Sequence, residues 1–444
     1  MPPKTKLKLD KSLACLERAK KRIPGTTQLL SKRPDQFSLG VWPSYFSKAS
    51  GAKVWDLDGN EYLDMSISGI GANVLGYCDP DVDAAVIEAV KSGSSSSLNC
   101  PEEIELADLL CELHPWADKV RYSRTGGEAM TIAVRIARAA TKKDKVAFCG
   151  YHGWHDWYLA ANLGTEDALG QHLLAGLNPL GVPKALQGTS IPFAYNRLDQ
   201  LKAILTKNKG EIGAIVLEAI RGDEPTKEFL EGVRALATEH KAVLIVDEIS
   251  SGFRLNTGGA HLLYGLTPDI AVFSKAMGNG YAIAAIVGKG SVMDAAEGTF
   301  MSSTYWTERI GPVAAIATIR KHKRVDASKH LVDIGRKIQA GWKDLSARHG
   351  IAMEIGGIPP LSHFDFAEGN SERKALFIQL MMEENILAAN SFYSMLTHTD
   401  AHVAAYLKAA DGVFSVMKGL IASGGVAKAL TGKPSNPGFK RLTS

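Results

Sequence analysis

No uninterrupted run of 18 apolar residues occurs in the 444-residue chain, and its N-terminus has no signal-like apolar core. A membrane-spanning helix and an export signal are therefore not expected. Surplus charge of one sign is missing too. The 51 Lys and Arg stand against 47 Asp and Glu, a formal net charge of +4, too balanced for a nucleic-acid surface. Cysteine is scarce and unpatterned. The five, at 15, 78, 100, 111 and 149, form no Cys-x-x-Cys pair or metal-ligand cluster. An odd number in a large chain implies reduced thiols and a cytoplasmic location.

What is present is an ordinary globular composition, 45% apolar and 22% charged, in a chain long enough for two or three domains. The basic N-terminal stretch, with apolar Leu13, Cys15 and Leu16, reads as an amphipathic helix rather than a binding tail. Residues 52–66 read as a hairpin turning at Asp58-Gly59-Asn60, and 81–91 and 101–115 as helices. Beyond these, short apolar strands (145–150, 212–219, 242–248, 269–274, 282–288) alternate with longer helical runs. Near-continuous apolarity implies strands covered on both faces, hence an α/β class with a mostly parallel sheet. After about residue 315, helices and a few short strands suggest a separate α+β lobe. The expected division is an N-terminal segment 1–80, a large α/β domain 81–315 and a C-terminal α+β domain 316–444.

In sheets of this kind ligands bind beyond the carboxyl ends of the strands. Glu218, Asp247 and Lys275 all fall there, although each alone could be a solvated strand end. Lys275 closes the apolar run of "VFSKAMGNGY", where a partly desolvated amine would serve as a nucleophile. Thr125-Gly126-Gly127 opens a helical run, placing backbone amides and a hydroxyl where an anion can sit; simple capping explains the turn equally well. It is neither a dinucleotide glycine motif nor a Walker loop, so a phosphate monoester is the expected anion. "GYHGWHDWY" (150–158) brings aromatics and histidines beyond a strand. His152 and His155 lack a nearby third ligand, and no metal is expected. A phosphate cup, a ring platform, a strand-end carboxylate and a lysine amine are what pyridoxal 5'-phosphate needs.

These motifs, with "VWDLDGNEYLD", "VDEISSGFR", "LTPDIAVFSKAMGNGY" and a C-terminal "LTHT", resemble the class III, fold-type I pyridoxal-phosphate aminotransferases over nearly the whole chain. The similarity lies nearest the glutamate-1-semialdehyde 2,1-aminomutase branch. It implies a large domain with a mostly parallel sheet and a smaller α+β domain built from both chain ends. By the same resemblance Lys275 is the Schiff-base lysine and Asp247 the partner of the pyridine nitrogen. Ile249 packs on the ring, Tyr151 stacks on its opposite face with His152 beside it, and Glu218 lies near the 3'-oxygen. Thr125, Gly126 and Gly127 match the phosphate turn, with glycine replacing its final hydroxyl. Thr304 matches a threonine that reaches the cofactor of a neighbouring subunit, which implies a homodimer with shared sites.

The departures bear on substrate. Ser31 stands near the register of the aminomutase arginine that holds a carboxylate, with only Lys32 and Arg33 as neighbours. The C-terminal segment lacks the aminomutase acidic residue, and Trp306-Thr307-Glu308-Arg309 replaces the family's Ser-Gly-Asn-Pro. Arg221 is a candidate substitute for carboxylate binding, with a surface ion pair as its other reading. Trp42 and Tyr45 are candidate substrate contacts, with packing as theirs. The resemblance then implies amino transfer from L-glutamate to a small carbonyl acceptor, an aldehyde-bearing acidic sugar such as 8-oxo-3,8-dideoxy-manno-octulosonate. The alternatives are glutamate-1-semialdehyde 2,1-aminomutase and an aminotransferase for another carbonyl.

Overall fold

The computed structural model describes residues 7–164, 168–169, 178–220, 222 and 224–434. The chain forms two units, one from residues 80–329 and one from 1–79 together with 330–444. The expected boundary at 316 falls inside the helix Ile310–Arg324. That helix packs on the helices Pro80–Lys91 and Glu102–Leu113 of the central unit and stays with them.

The central unit is built on a seven-stranded sheet. Its strands are β1 (Lys119–Ser123), β2 (Lys145–Cys149), β3 (Ser190–Pro192), β4 (Ile212–Glu218), β5 (Val243–Asp247), β6 (Ile270–Phe273) and β7 (Ala284–Gly288). Across the sheet the order is β1-β7-β6-β5-β4-β2-β3. From β6 to β3 all neighbours are parallel, and β7 runs antiparallel to both β6 and β1. β4, β5 and β6 are buried along their whole length, so their alternating residues face apolar layers on both sides. The strands absent from the sequence reading, β1 and β3, are the two edges. There half-burial admits lysine, arginine and, in β3, Pro192.

In the terminal unit the expected hairpin forms between Lys53–Asp56 and Glu61–Met65. Asp56 Oδ1 accepts the backbone N–H groups of Asp58 and Asn60, each at 2.9 Å, and closes the turn. Asp58 in turn caps the helix Asp10–Arg22, accepting from the N–H groups of Lys11 and Ser12 at 2.9 Å. That helix buries Ser12, Leu16 and Ala19, at i, i+4 and i+7, while Leu13 is on its exposed side. Ile386–Ala388 then adds to the hairpin in parallel. The core of this unit gathers Trp342, Phe364, Phe377 and Phe414, and the Trp342 indole donates to the Tyr406 hydroxyl at 2.9 Å. No helix among the described residues is long and apolar enough to cross a membrane.

Candidate active site

β4 and β5 pair in a register that sets Glu218 beside Asp247, so two carboxylates leave the same end of the sheet together. β6 ends at Phe273, and Ser274 and Lys275 follow it. The Ser274 hydroxyl donates to the Ile283 carbonyl at 2.9 Å and closes this turn. Asn279 and Gly280 take positive φ of 44° and 97°, the left-handed conformations that the Gly-Asn-Gly letters favour. Lys275 itself has φ 45°, uncommon for a non-glycine residue and a form of strain that clusters at functional sites. Its Nζ donates to Ser250 Oγ at 2.8 Å. Sequence reasoning passed over Ser250, although it lies in the same "DEISSGFR" segment as Asp247.

Asp247 is 3% exposed and held from two sides. Oδ1 accepts the Ile249 N–H at 2.9 Å, and Oδ2 lies 2.8 Å from His152 Nδ1. His152 Nε2 is 3.0 Å from the Cys149 carbonyl oxygen. Both ring nitrogens are thus engaged in a buried side chain. The structure sets His152 against the Asp247 carboxylate, with its other ring nitrogen at the Cys149 carbonyl. Next in sequence, Glu248 turns away into a buried network, accepting from the His261 N–H and Nδ1 at 2.8 Å and from Ser251 Oγ at 2.5 Å. Burial opposes its ionisation, but the His261 and Ser251 bonds hold its carboxyl below the ordinary value.

Glu218 is also buried, and its Oε2 accepts the Tyr151 N–H at 3.2 Å. Gly150, at φ 112°, permits this approach, because a Cβ there would lie 2.7 Å from that oxygen. Tyr158 donates to the Gly150 carbonyl at 3.0 Å and meets the Tyr151 ring edge-on, fixing the aromatic expected to face the cofactor. Burial, reinforced by Glu218, pushes the adjacent Cys149 thiol far up.

The helix Gly126–Thr141 begins with Thr125 as N-cap in a capping box: Thr125 Oγ1 accepts the Glu128 N–H at 3.4 Å, and Glu128 accepts the Thr125 N–H at 2.9 Å. Amides of a first helical turn have no intrahelical acceptor and favour an anion. Gly126 brings this turn against Ile249, whose Cδ1 would be 2.8 Å from a Cβ at 126. On the adjacent face, Gly127 lies under His155 and Trp154.

The departing loop is tied down by two of its unusual residues. Arg124 donates to the Glu308 carbonyl at 2.5 Å, and Arg309 reaches Glu102 at 2.5 Å. Thr304 lies exposed on the same loop. Trp42 and Tyr45 belong to the terminal unit, where Trp42 stacks on Phe37 with ring centroids 4.2 Å apart. Arg33 there is paired with Asp35 at 2.9 Å, and Ser31 is exposed. Arg221 lies outside the described residues. The glycine cradle, the anion-ready helix start, the paired carboxylates and the lysine together fit pyridoxal phosphate.

Comparison with known proteins agrees. The profile of the family described as aminotransferase class-III matches residues 39–410. A 3-aminobutyryl-CoA aminotransferase from Cloacimonas acidaminovorans is 36% identical, covering 90% of this chain and 95% of that protein. A 2'-deamino-2'-hydroxyneamine transaminase from Streptomyces kanamyceticus is 32% identical over 83% of this chain and 90% of its own length. A glutamate-1-semialdehyde 2,1-aminomutase from Lachnoclostridium phytofermentans is 30% identical over 89% and 96%. Among solved structures, the internal aldimine form of the FumI protein of Sphingopyxis sp. MTA144 superposes with a TM-score of 0.85 at 23% identity, covering 96% of this chain and 99% of that one.

Proposed function

The chain belongs to the class-III aminotransferases, and on that premise we propose intermolecular amino transfer from L-glutamate to the aldehyde of an acidic sugar, such as 8-oxo-3,8-dideoxy-manno-octulosonate. It is a pyridoxal-phosphate enzyme of fold type I. When bound, the cofactor supplies an exchangeable carbonyl and an electron-withdrawing ring. The observation that carries the reading is Lys275: a partly buried amine at a strand end, aimed by Ser250, on the same sheet edge as the rigid Asp247 carboxylate. Nζ is the amine that exchanges with the donor and then carries its α-proton. Asp247, fixed by Ile249 and His152, holds the proton on the cofactor's ring nitrogen. Tyr151 and Ile249 bound the ring, and the 125–127 turn anchors its phosphate.

Transfer between two molecules, rather than the aminomutase migration, is supported by the exposed Ser31 and by the engagement of Arg33 with Asp35. A second acceptor, a 3-oxoacyl-CoA thioester, is favoured by the 36% identity to a 3-aminobutyryl-CoA aminotransferase. The enzyme works as a homodimer with Thr304 reaching the partner's cofactor. Support comes from the exposure of Thr304 beside Phe300 and Tyr305, which are 89% and 72% exposed. Sedimentation of an active monomer would overturn that arrangement.

Glutamate alone, mixed with holoenzyme, should change the visible spectrum and release one equivalent of 2-oxoglutarate per site. A carbonyl panel containing the oxidised octulosonate, acetoacetyl-CoA and glutamate 1-semialdehyde then separates the acceptors. Rapid donor-free isomerisation of the semialdehyde, with no 2-oxoglutarate from glutamate, would replace transfer by the aminomutase reaction.

A further inference from the structure

We propose that His155 donates a hydrogen bond to the cofactor's phosphate, occupying the space that a side chain on residue 127 would otherwise fill. The inference rests on reading Thr125-Gly126-Gly127 as the phosphate turn. A Cβ on Gly127 would lie 3.1 Å from His155 Cδ2, 3.2 Å from His155 Nε2 and 3.4 Å from Trp154 Nε1. Two nitrogen-bearing rings therefore converge on the one position in the turn that has lost its hydroxyl. The loop carrying them can come so close only because both backbones are bare: Gly153 has φ 98°, and a Cβ on it would be 3.3 Å from the Gly127 Cα. Gly127 thus leaves room for the His155 ring.

His155 Nε2 is sealed from solvent and has no hydrogen-bond partner among the described residues. A buried polar nitrogen without a partner is costly and signals a ligand, ion or water that completes it. A Cβ on Gly127, in the first turn of a 16-residue helix whose amides and dipole favour an anion, would lie 3.2 Å from this nitrogen. A phosphate oxygen would complete Nε2 with a charge-assisted bond, stronger than a neutral one. Trp154 holds the imidazole plane, with ring centroids 4.3 Å apart. Burial lowers the basicity of His155, and the nearby Glu128 and Asp156 carboxylates oppose that shift.

His155 also borders a cavity of about 190 Å³ with Thr131, Arg135 and Trp306. A ring serving only that cavity would not touch the phosphate, and the two placements give different binding behaviour. The experiment titrates apoenzyme with pyridoxal phosphate and with pyridoxal, which lacks the phosphate, reading affinity from tryptophan fluorescence and visible absorbance. His155→Ala should weaken pyridoxal phosphate roughly tenfold and leave pyridoxal unchanged. Gly127→Thr alone should weaken it as well, because two groups then compete for one space. The double variant Gly127→Thr/His155→Ala should recover affinity to within about threefold of the wild type, one hydroxyl replacing one imidazole. His155→Gln, which keeps a donor, should lose less than His155→Ala and controls for folding. The phosphorus-31 resonance of the bound cofactor should move in His155→Ala. Equal loss for both ligands, no loss at all, or a double variant no better than the singles would overturn the assignment. A wild-type protein that binds neither ligand would instead refute the cofactor reading itself.

Discussion

Acid should unfold the central unit through His322, and the amount can be worked from its surroundings. The side chain is completely buried. Nε2 donates to the Phe253 carbonyl at 3.0 Å, and the Thr257 hydroxyl, 2.8 Å away, satisfies Nδ1. Burial depresses its pKa from 6.5 to about 4; Arg254 adds to the depression, while the Phe253 bond and Asp326 oppose it. A histidine with a lowered folded-state pKa stabilises fully above its unfolded value near 6.5. That contribution drains away as pH falls from 6.5 toward about 4. Between pH 7.5 and 5 the difference in protonation costs about 2 kcal/mol of stability. In a unit of this size that is a drop in Tm of about 4–8 °C. Replacing His322 with Gln, which retains a donor but does not titrate, should lower stability at pH 7.5 yet shrink the pH 7.5-to-5 decrement by that amount. Thermal and urea unfolding of apoenzyme at several pH values would measure it. The functional echo is direct, since Phe253 closes the segment that carries Ser250, the partner of the Lys275 amine. An unchanged pH decrement in the glutamine variant, or a wild-type protein that gains stability on acidification, would refute the reasoning.

Asp247→Asn should fold and keep the cofactor, because the amide can still accept from Ile249 while its NH₂ donates to His152 Nδ1. Its half-reaction with glutamate should slow about 10–100-fold by stopped-flow absorbance, reflecting a charged hydrogen bond made neutral; a near-normal rate would remove the carboxylate from the chemistry. Gly126→Ala, with its Cβ 2.8 Å from Ile249 Cδ1, should cost about 1–3 kcal/mol in urea unfolding, and Ile249→Val in the same chain should return part of it. Ser250→Ala should leave folding intact but slow covalent capture of the cofactor by Lys275 about 3–10-fold, seen as borohydride-trapped label.

The interior of the sheet was readable because β4, β5 and β6 are buried on both faces and so are written as unbroken apolar runs. Its edges were not, since β1 and β3 need only partial burial and carry the charges and the proline that a sequence reader takes for loop. The first helix shows a similar limit. Cys15 and Leu16 lie toward the buried side, but Ser12 and Ala19 complete that face and Leu13 does not. Lys275, Asp247 and Glu218 stood out as charges ending apolar runs. Ser250 and the placement of His155 depend on loops folding across each other, and no spacing rule reports that. His152 was noticed for its type, yet its contact with Asp247 depends on the turn after β2 reaching across β4 to the end of β5.

The terminal unit has a consequence for how the chain is made. Glu61–Met65 pairs in parallel with Ile386–Ala388, and Leu63 faces Ile386. A ribosome adding about 5–20 residues per second exposes the second strand roughly 15–65 s after the first. The central unit is one continuous segment, whereas residues 1–79 wait for a mate that has not yet been translated. During that interval Tyr62 and Met65, both fully buried in the finished protein, stand uncovered. The nascent N-terminal hairpin should therefore be held by chaperones until its mate emerges. Fusing residues 330–434 ahead of residue 7, which brings both halves of this unit off the ribosome together, should raise soluble yield most where chaperones are scarce.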